Sequence, residues 1–310
     1  MTAPKASGVL FSAGRGTRLK PLTESVPKAI LPVLDVPLGS WGLKELLSIC
    51  PKVFVNAEPN VRAVVESQLA PVTGGQPGAV IFKEEFPEPF GAGGTLVALR
   101  DLVTERVITW NADTITDLAL EALFETHEAS GAPATIAVLP VNRDADVSFD
   151  SGRATAFIDR HVRPQASGGR FIGVAVLERT VLDALPPHRP LGLAEAVLEP
   201  LVRKGDLAVH VHAGYVIDVG TFPRYLQASI DLLEGRGPAP PLPPPGEIIP
   251  LDSGVAYLGP GASAPDGTLA AGAMLLRGSR VLESALVERA LVWQDAVVPS
   301  GTRVTNAVWW

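Results

Sequence analysis

The first 235 residues alternate between short apolar runs rich in β-branched side chains and longer segments with apolar residues at three- and four-residue steps. The short runs have the length and composition of buried strands, and they are GVLF, KVFV, AVIF, RVITW and ATIAVL. The longer segments have the periodicity of amphipathic helices, and they are GSWGLKELLSIC, VRAVVESQLA, GGTLVALRDL and DLALEALFETHEA. This alternation predicts an α/β domain with a mostly parallel sheet, and such sheets bind ligands at the carboxyl ends of their strands.

Two segments of different character follow. Residues 236–250 are too rich in proline for a helix or a central strand, so we expect a stiff, extended linker between a domain of residues 1–235 and one of residues 251–310. In the last segment apolar residues recur at every sixth position, most clearly at Leu286, Val292, Val298 and Val304. Small residues fall four positions after them, at Ala290, Ala296 and Thr302.

This hexapeptide pattern predicts a parallel β-helix. Short antiparallel strands joined by Gly and Pro turns would be a simpler interpretation of the same composition. A stack of so few coils exposes its end strands, so we expect a homo-oligomer that forms through this domain.

Composition and charge exclude several classes of protein. The chain has 310 residues, 46% of them hydrophobic, with a formal charge of −7 and a single cysteine, Cys50. This charge offers no basic surface for nucleic acid, and one cysteine cannot form an internal disulfide. No apolar run reaches the roughly 18 residues of a membrane-spanning helix, and the first residues lack the apolar core of a signal peptide. We therefore expect a cytoplasmic protein without a nucleic-acid or membrane partner.

The first apolar run is followed by a glycine-rich turn flanked by cations. Residues 12–17 have the sequence SAGRGT, and Arg15, Arg18 and Lys28 lie in or near the turn. Glycines at such a position let backbone N–H groups approach a phosphate. Leu19 stands where a dinucleotide-binding fingerprint needs a third glycine, and no Gly-Lys-Ser/Thr of a P-loop follows. The turn is therefore either a polyphosphate site of another kind or a surface turn with solvated basic residues.

The turn and its continuation, LFSAGRGTRLKPLTESVPKAILPV, resemble the signature G-x-G-T-R-x-x-P-x-T-x-x-x-P-K of the sugar-1-phosphate nucleotidyltransferases. Three later stretches resemble motifs of that family in the same order, namely EPFGAGGTLVAL, VITWNADTITDL and GYVIDVGTFPRYLQA. The family counterparts are E-P-L-G-T-A-G-A-L, N-G-D-x-x-x-D and G-Y-W-x-D-I-G-T-P-x-x-Y. The resemblance covers almost the whole chain. It implies a Rossmann-like domain with a mixed, mostly parallel sheet, followed by a short left-handed β-helix.

The resemblance also implies a reaction, in which a nucleoside monophosphate passes from a nucleoside triphosphate to a sugar 1-phosphate and pyrophosphate is released. Arg18 and Lys28 would be the catalytic cations, with Arg18 on the β- and γ-phosphates and Lys28 on the α-phosphate. Asp113 and Asp218 match the family's two Mg²⁺-binding carboxylates, a donor set that suits Mg²⁺. The other nucleotide-binding positions that the resemblance implies are Ser12, Ala13, Gly14, Gly16, Thr17, Glu88, Gly91 and Gly93. The segment EPFGAGGTL looks closest to guanylyl-transferring members, so GTP is the expected nucleotide.

Several of these residues also have a purely structural interpretation. Asp113 could cap a helix, Asp218 could be a turn residue, and Gly173, which fits the family's glycine beside the sugar, could mark a strand bulge. Where the family has a lysine for the sugar phosphate, this chain has Arg160, which keeps the charge and can hold a phosphate with two hydrogen bonds. Arg163 is a rival for that role.

Two other functions stay open. A non-catalytic relative that binds an NDP-sugar and regulates a partner would have the same fold, although the retained Arg18, Lys28, Asp113 and Asp218 argue against it. A bifunctional enzyme would carry an acyltransferase activity in its β-helix, with a histidine as the base. All five histidines precede that region, so we expect it to serve assembly or regulation.

Overall fold

A computed structural model describes residues 6–14, 16–76, 78–157, 168–187 and 190–310. Up to residue 235 the strands are β1 (Ala6–Phe11), β2 (Pro32–Val33), β3 (Val36–Pro37), β4 (Lys52–Ala57), β5 (Val80–Glu84), β6 (Arg106–Asn111), β7 (Thr114–Thr116), β8 (Ala134–Val141), β9 (Val147–Asp150), β10 (Arg153–Phe157), β11 (Gly168–Glu178), β12 (Leu207–Val211) and β13 (Val216–Asp218). The helices are α1 (Leu22–Ser25), α2 (Ser40–Ile49), α3 (Pro59–Leu69), α4 (Gly91–Leu99), α5 (Leu120–Ser130), α6 (Arg179–Asp183), α7 (Glu199–Lys204) and α8 (Phe222–Leu233). The five apolar runs and four amphipathic segments form the strands and helices predicted for them. Within the described ranges, no helix is long and apolar enough to cross a membrane.

The central sheet has the strand order β5-β4-β1-β6-β11-β8-β12-β10-β9. Its pairing is parallel from β5 to β6, where the helices α2, α3 and α4 provide the crossovers that parallel strands need. Pairing is antiparallel where β11 joins β6 and β8 and where β10 joins β9 and β12. The sheet is mixed, as expected, but its parallel character is confined to one half and to the β8–β12 pair. One apolar core covers each of its faces.

The chain beyond residue 235 forms short strands, and these are β14 (Glu247–Leu251), β15 (Gly254–Leu258), β16 (Met274–Leu275), β17 (Arg280–Val281), β18 (Leu286–Glu288), β19 (Leu291–Val292), β20 (Val297–Val298), β21 (Arg303–Thr305) and β22 (Val308–Trp309). From β15 onward they pair in parallel, and Tyr257, Met274, Leu291 and Val308 follow one another at 17-residue steps. The β17–β20 and β18–β21 pairs form two further parallel sheets. Only β14 pairs antiparallel among the described strands of this region, and it begins inside the segment expected to be a linker.

One of the four inward positions marked by the hexapeptide register is displaced by one residue in this stack. Val292, Val298 and Val304 are buried, as the pattern predicts. Leu286 is only partly buried, and Val287 takes the inward position instead. A 17-residue coil cannot contain three equal hexapeptides, so one side of the coil is a residue shorter and the register shifts between Val287 and Val292.

The C-terminal stack and the first domain share a core. Tyr225 of α8 and Trp293 of the stack both belong to it, together with the loop between β1 and α2. At the edge of this core the Tyr257 hydroxyl donates to Asp35 Oδ2 at 2.9 Å. The backbone N–H of Arg277 donates to Asp35 Oδ1 at 3.2 Å. Burial raises the pKa of Asp35, while these two hydrogen bonds act in the opposite direction. The stack therefore packs directly against the segment that carries Lys28.

Candidate functional site

A cavity of about 390 Å³ opens at the carboxyl ends of β1, β4 and β6. Parallel strands present their carboxyl ends at one edge of the sheet, which is where α/β proteins bind ligands. Nine of the residues that the sequence assigned to the site line this cavity, and they are Ser12, Ala13, Gly14, Gly16, Thr17, Arg18, Lys28, Gly91 and Asp113. The fold thus brings the glycine-rich turn together with residues distant from it in sequence.

The glycine-rich turn has a backbone conformation that favours glycine. Gly16 has φ of 59°, and a Cβ there would lie 2.9 Å from Thr23 Cγ2 and 3.2 Å from Lys28 Cβ. The Thr23 hydroxyl donates to the Gly16 carbonyl oxygen at 2.9 Å, which fixes the turn against the segment that follows it. Glycine therefore allows the turn to lie directly beside Lys28.

A buried polar network beneath the turn was missed by sequence reasoning. Asn56, at the end of β4, accepts hydrogen bonds through Oδ1 from the N–H groups of Ser12 at 2.6 Å and Ala13 at 3.4 Å. Its Nδ2 donates to Glu85 Oε1 at 2.9 Å and to the Thr95 hydroxyl at 3.2 Å. Both Asn56 and Glu85 line the cavity, although each is at least 96% buried. Polar residues at the ends of two apolar runs, in KVFVNA and VIFKEE, are the signal that could have identified them.

The second oxygen of Glu85 extends this network to the start of α4. Glu85 Oε2 accepts the N–H of Phe90 at 2.8 Å, and the Thr95 hydroxyl donates to Oε1. Gly91 follows with φ of 73°, and a Cβ on it would lie 2.5 Å from the carbonyl oxygen of Leu191. Gly91 is therefore required by both its backbone conformation and the close approach of the 190–193 segment.

Charged residues converge on the cavity from three elements. Lys28 forms an ion pair with Asp113 Oδ2, and both side chains are largely buried. The Val219 N–H donates to the Asp113 carbonyl oxygen at 2.9 Å, because β13 pairs with β7 and so places Asp218 next to Asp113. Burial raises the pKa of Asp113; Lys28 lowers it, and the neighbouring Asp218 carboxylate raises it further.

Arg18 reaches the same place from the turn. A Cβ on Gly220 would lie 2.9 Å from Arg18 Nη2 and 3.1 Å from Asp218 Oδ1. Arg18 forms no ion pair with any residue that the structure describes, so its guanidinium charge is available to an anion in the cavity. Two cations, Arg18 and Lys28, and two carboxylates, Asp113 and Asp218, are suited to a polyphosphate together with a divalent cation.

A second cavity, of about 270 Å³, adjoins the first, and Asn111 and Asp113 line both. Gly173 and Asp218 line the second cavity, as do Arg170 and Arg224. Gly173 has φ of 81°, and a Cβ there would lie 2.5 Å from Asn111 Nδ2. It also lies where the β11–β8 register shifts, so it marks a strand bulge and a cavity wall at once.

Two expected site residues, Glu88 and Gly93, do not line the cavity. Glu88 is exposed and is not among the cavity-lining residues, because the turn before α4 directs Glu85 inward instead. Gly93 packs below the cavity, where a Cβ would lie 2.9 Å from the Gly192 carbonyl oxygen. Arg160 and its rival Arg163 lie outside the described residues.

Comparisons with known proteins agree with this geometry. A sequence profile for the nucleotidyl transferase family matches residues 7–235. The chain is 26% identical to the mannose-1-phosphate guanylyltransferase of Mycobacterium tuberculosis over 93% of this chain and 85% of that protein. It is 30% identical to the N-acetylmuramate alpha-1-phosphate uridylyltransferase of Neisseria meningitidis over 71% of this chain and 95% of that protein. The crystal structure of HddC from Yersinia pseudotuberculosis has the same fold, with a TM-score of 0.60 and 20% identity over 72% of this chain and 97% of that one. Sequence motifs, cavity and relatives together establish that the chain belongs to the nucleotidyl transferase family.

Proposed function

We propose that the chain is a sugar-1-phosphate nucleotidyltransferase that uses GTP and a sugar 1-phosphate to make a GDP-sugar and pyrophosphate. The observation that carries the proposal is the convergence of Arg18, Lys28 and Asp113 on the cavity beside the glycine-rich turn. Two anionic substrates repel each other, so such a reaction needs cations that neutralise charge and hold the reacting atoms in line.

In this proposal an oxygen of the sugar 1-phosphate attacks the α-phosphorus of GTP. The bond from the α-phosphorus to the bridging oxygen breaks, and pyrophosphate leaves with that oxygen and its electron pair. Lys28 has three N–H donors, so it can contact Asp113 and the α-phosphate together, where negative charge increases as pyrophosphate departs. Arg18 binds the β- and γ-phosphates, and the backbone N–H groups of Gly14, Gly16 and Thr17 line their path.

The carboxylates of Asp113 and Asp218 fit a magnesium ion. They are hard oxygen donors, with Asp218 at the end of β13 and Asp113 directly before its partner strand β7. Mg²⁺ is commonly held by one or two carboxylates together with phosphate oxygens and water. Among the described residues no group of three or more His, Cys, Asp and Glu side chains could hold a metal on its own. When bound, Mg²⁺ would neutralise phosphate charge.

The choice of nucleotide follows from the relatives. The mycobacterial relative is named a guanylyltransferase, and the neisserial one a uridylyltransferase. The mycobacterial match extends over most of both chains, including the C-terminal stack, and this favours GTP. UTP is therefore the first competitor to include in any assay.

Pyrophosphate release tests the proposal. Each common nucleoside triphosphate is combined with a panel of sugar 1-phosphates, including mannose 1-phosphate and N-acetylmuramate 1-phosphate, with and without Mg²⁺. We expect Mg²⁺-dependent release with GTP and one sugar, and a loss of about 100- to 1,000-fold in Asp113→Asn. Asp101→Asn is the matched control, because Asp101 is 89% exposed and contacts only Arg179 among the described ion pairs. Release with UTP or dTTP but not with GTP would refute the choice of nucleotide, and no release with any pair would refute the reaction.

We further propose that the C-terminal stack is a short left-handed β-helix through which the chain forms a homo-oligomer. The 17-residue steps on three parallel sheets support the β-helix. Trp310, which stacks on Phe222 of α8, is 57% exposed, and this exposed aromatic surface supports an interface there. Sedimentation of the full chain tests the oligomer, and a monomer at micromolar concentration would refute it.

Because the substrates are a nucleoside triphosphate and a sugar phosphate, we propose that the enzyme acts in the cytoplasm.

A further inference from the structure

We propose that Arg224 binds the phosphate of the sugar 1-phosphate in the second cavity. This inference deepens the proposed function and rests on it. The family resemblance implies Arg160 for this role, whereas Arg224 occupies a position that the family pattern leaves unspecified. Its role follows from where α8 places it.

The second cavity is where an attacking phosphate would have to lie. It adjoins the nucleotide cavity through Asn111 and Asp113, so a phosphate in it can reach the α-phosphate beside Lys28. Apart from Arg224, its charged lining residues are the carboxylates Asp113, Asp146 and Asp218 and the guanidinium of Arg170. A dianionic phosphate cannot enter a cavity of three carboxylates without cations to balance it.

Of the two arginines, Arg224 is the one that has no described counter-ion. Arg170 Nη2 lies 3.8 Å from Asp144 Oδ2, and Arg170 has further interactions. Arg224 is partly buried and forms no ion pair with any residue in the described ranges. A partly buried guanidinium is stabilised by an anion, and its planar donors suit the two-point binding of a phosphate.

The fold also holds Arg224 in place. It belongs to the first turn of α8, whose residue Tyr225 is completely buried and donates a hydrogen bond to the Pro32 carbonyl oxygen. The same helix begins four residues after Asp218, so Arg224 and the carboxylate share one short segment. Because the backbone of α8 is fixed here, binding has to order only the Arg224 side chain and not the segment that carries it.

The test compares Arg224→Met and Arg224→Lys with Arg203→Met in the full chain. Arg203 is the control because it is 68% exposed on α7 and pairs only with Glu199 among the described ion pairs. For the substrate pair found by pyrophosphate release, we expect Arg224→Met to raise the KM for the sugar 1-phosphate about 10- to 100-fold, the loss of one charge-assisted contact. The KM for the nucleotide should change less than about threefold, and Arg224→Lys should recover part of the loss because it keeps the charge.

Equal increases in both KM values, or a sugar-phosphate KM within about twofold of wild type, would overturn the inference. Thermal unfolding of each variant shows whether α8 is still folded. If the wild-type chain turns over no pair, the proposed function fails, and calorimetric binding of mannose 1-phosphate then decides the inference by itself. A dissociation constant at least about tenfold weaker in Arg224→Met supports the inference; the same constant in both chains, or no binding to wild type, overturns it.

Discussion

The change Glu85→Gln tests whether the buried network beneath the glycine-rich turn supports the nucleotide site. Glu85 is 1% exposed, and its two carboxylate oxygens accept hydrogen bonds from Asn56, Thr95 and the Phe90 N–H. Glutamine has one acceptor oxygen in place of two. In one orientation of the amide, the new NH₂ group faces the Asn56 NH₂ and the Thr95 hydroxyl; in the other, it faces the Phe90 N–H. In both orientations at least one donor loses the acceptor that the carboxylate provides.

The size of the effect follows from these contacts. A hydrogen bond to a charged group contributes about 1.5–3 kcal/mol, and a buried donor without a partner costs about 1–3 kcal/mol. The easier burial of a neutral amide offsets part of this loss. We expect a net destabilisation of about 2–3 kcal/mol, which for a domain of this size lowers the Tm by roughly 5–10 °C.

The control is Glu84→Gln, one residue earlier. Glu84 is 47% exposed and pairs with Arg62 at 3.1 Å, so its loss should cost no more than about 1 kcal/mol. Thermal unfolding followed by circular dichroism measures both variants. The KM for the nucleotide should rise only in Glu85→Gln, because Glu85 holds Asn56, which fixes the glycine-rich turn by accepting the Ser12 and Ala13 N–H groups. Equal Tm shifts in the two variants would refute the reasoning.

Two further predictions concern pH and backbone conformation. Burial lowers the pKa of His127, so the unfolded chain takes up a proton near pH 6.5 while the folded chain does not, and stability falls as the pH drops below that value. Urea unfolding at about pH 7.5 and about pH 5.5 should therefore show a smaller pH-dependent loss in His127→Gln than in wild type; equal losses would contradict it. Gly91→Ala should destabilise more than Gly74→Ala. Both residues have positive φ, but only at Gly91 would the added Cβ lie 2.5 Å from a carbonyl oxygen, that of Leu191. Calorimetric Tm values compare the two, and a larger shift in Gly74→Ala would exclude the close approach as the cause.

Local patterns in the sequence predict most of the fold. The alternation of apolar runs and amphipathic segments predicts each strand and helix assigned from it, because strand and helix periods depend on near neighbours along the chain. The same patterns overstate the parallel character of the sheet, since β11 joins β6 and β8 from far along the sequence. The hexapeptide register places Leu286 inward, whereas the 17-residue coil places Val287 there.

The candidate site divides in the same way. The sequence by itself determines the glycine-rich turn with Arg18 and Lys28, because these residues lie close together along the chain and their types carry the chemistry. Only the tertiary structure decides that Glu85, and not Glu88, is turned inward, and that α8 places Arg224 in the second cavity. Those outcomes depend on hydrogen bonds and packing between residues tens to hundreds of positions apart, which no local period encodes.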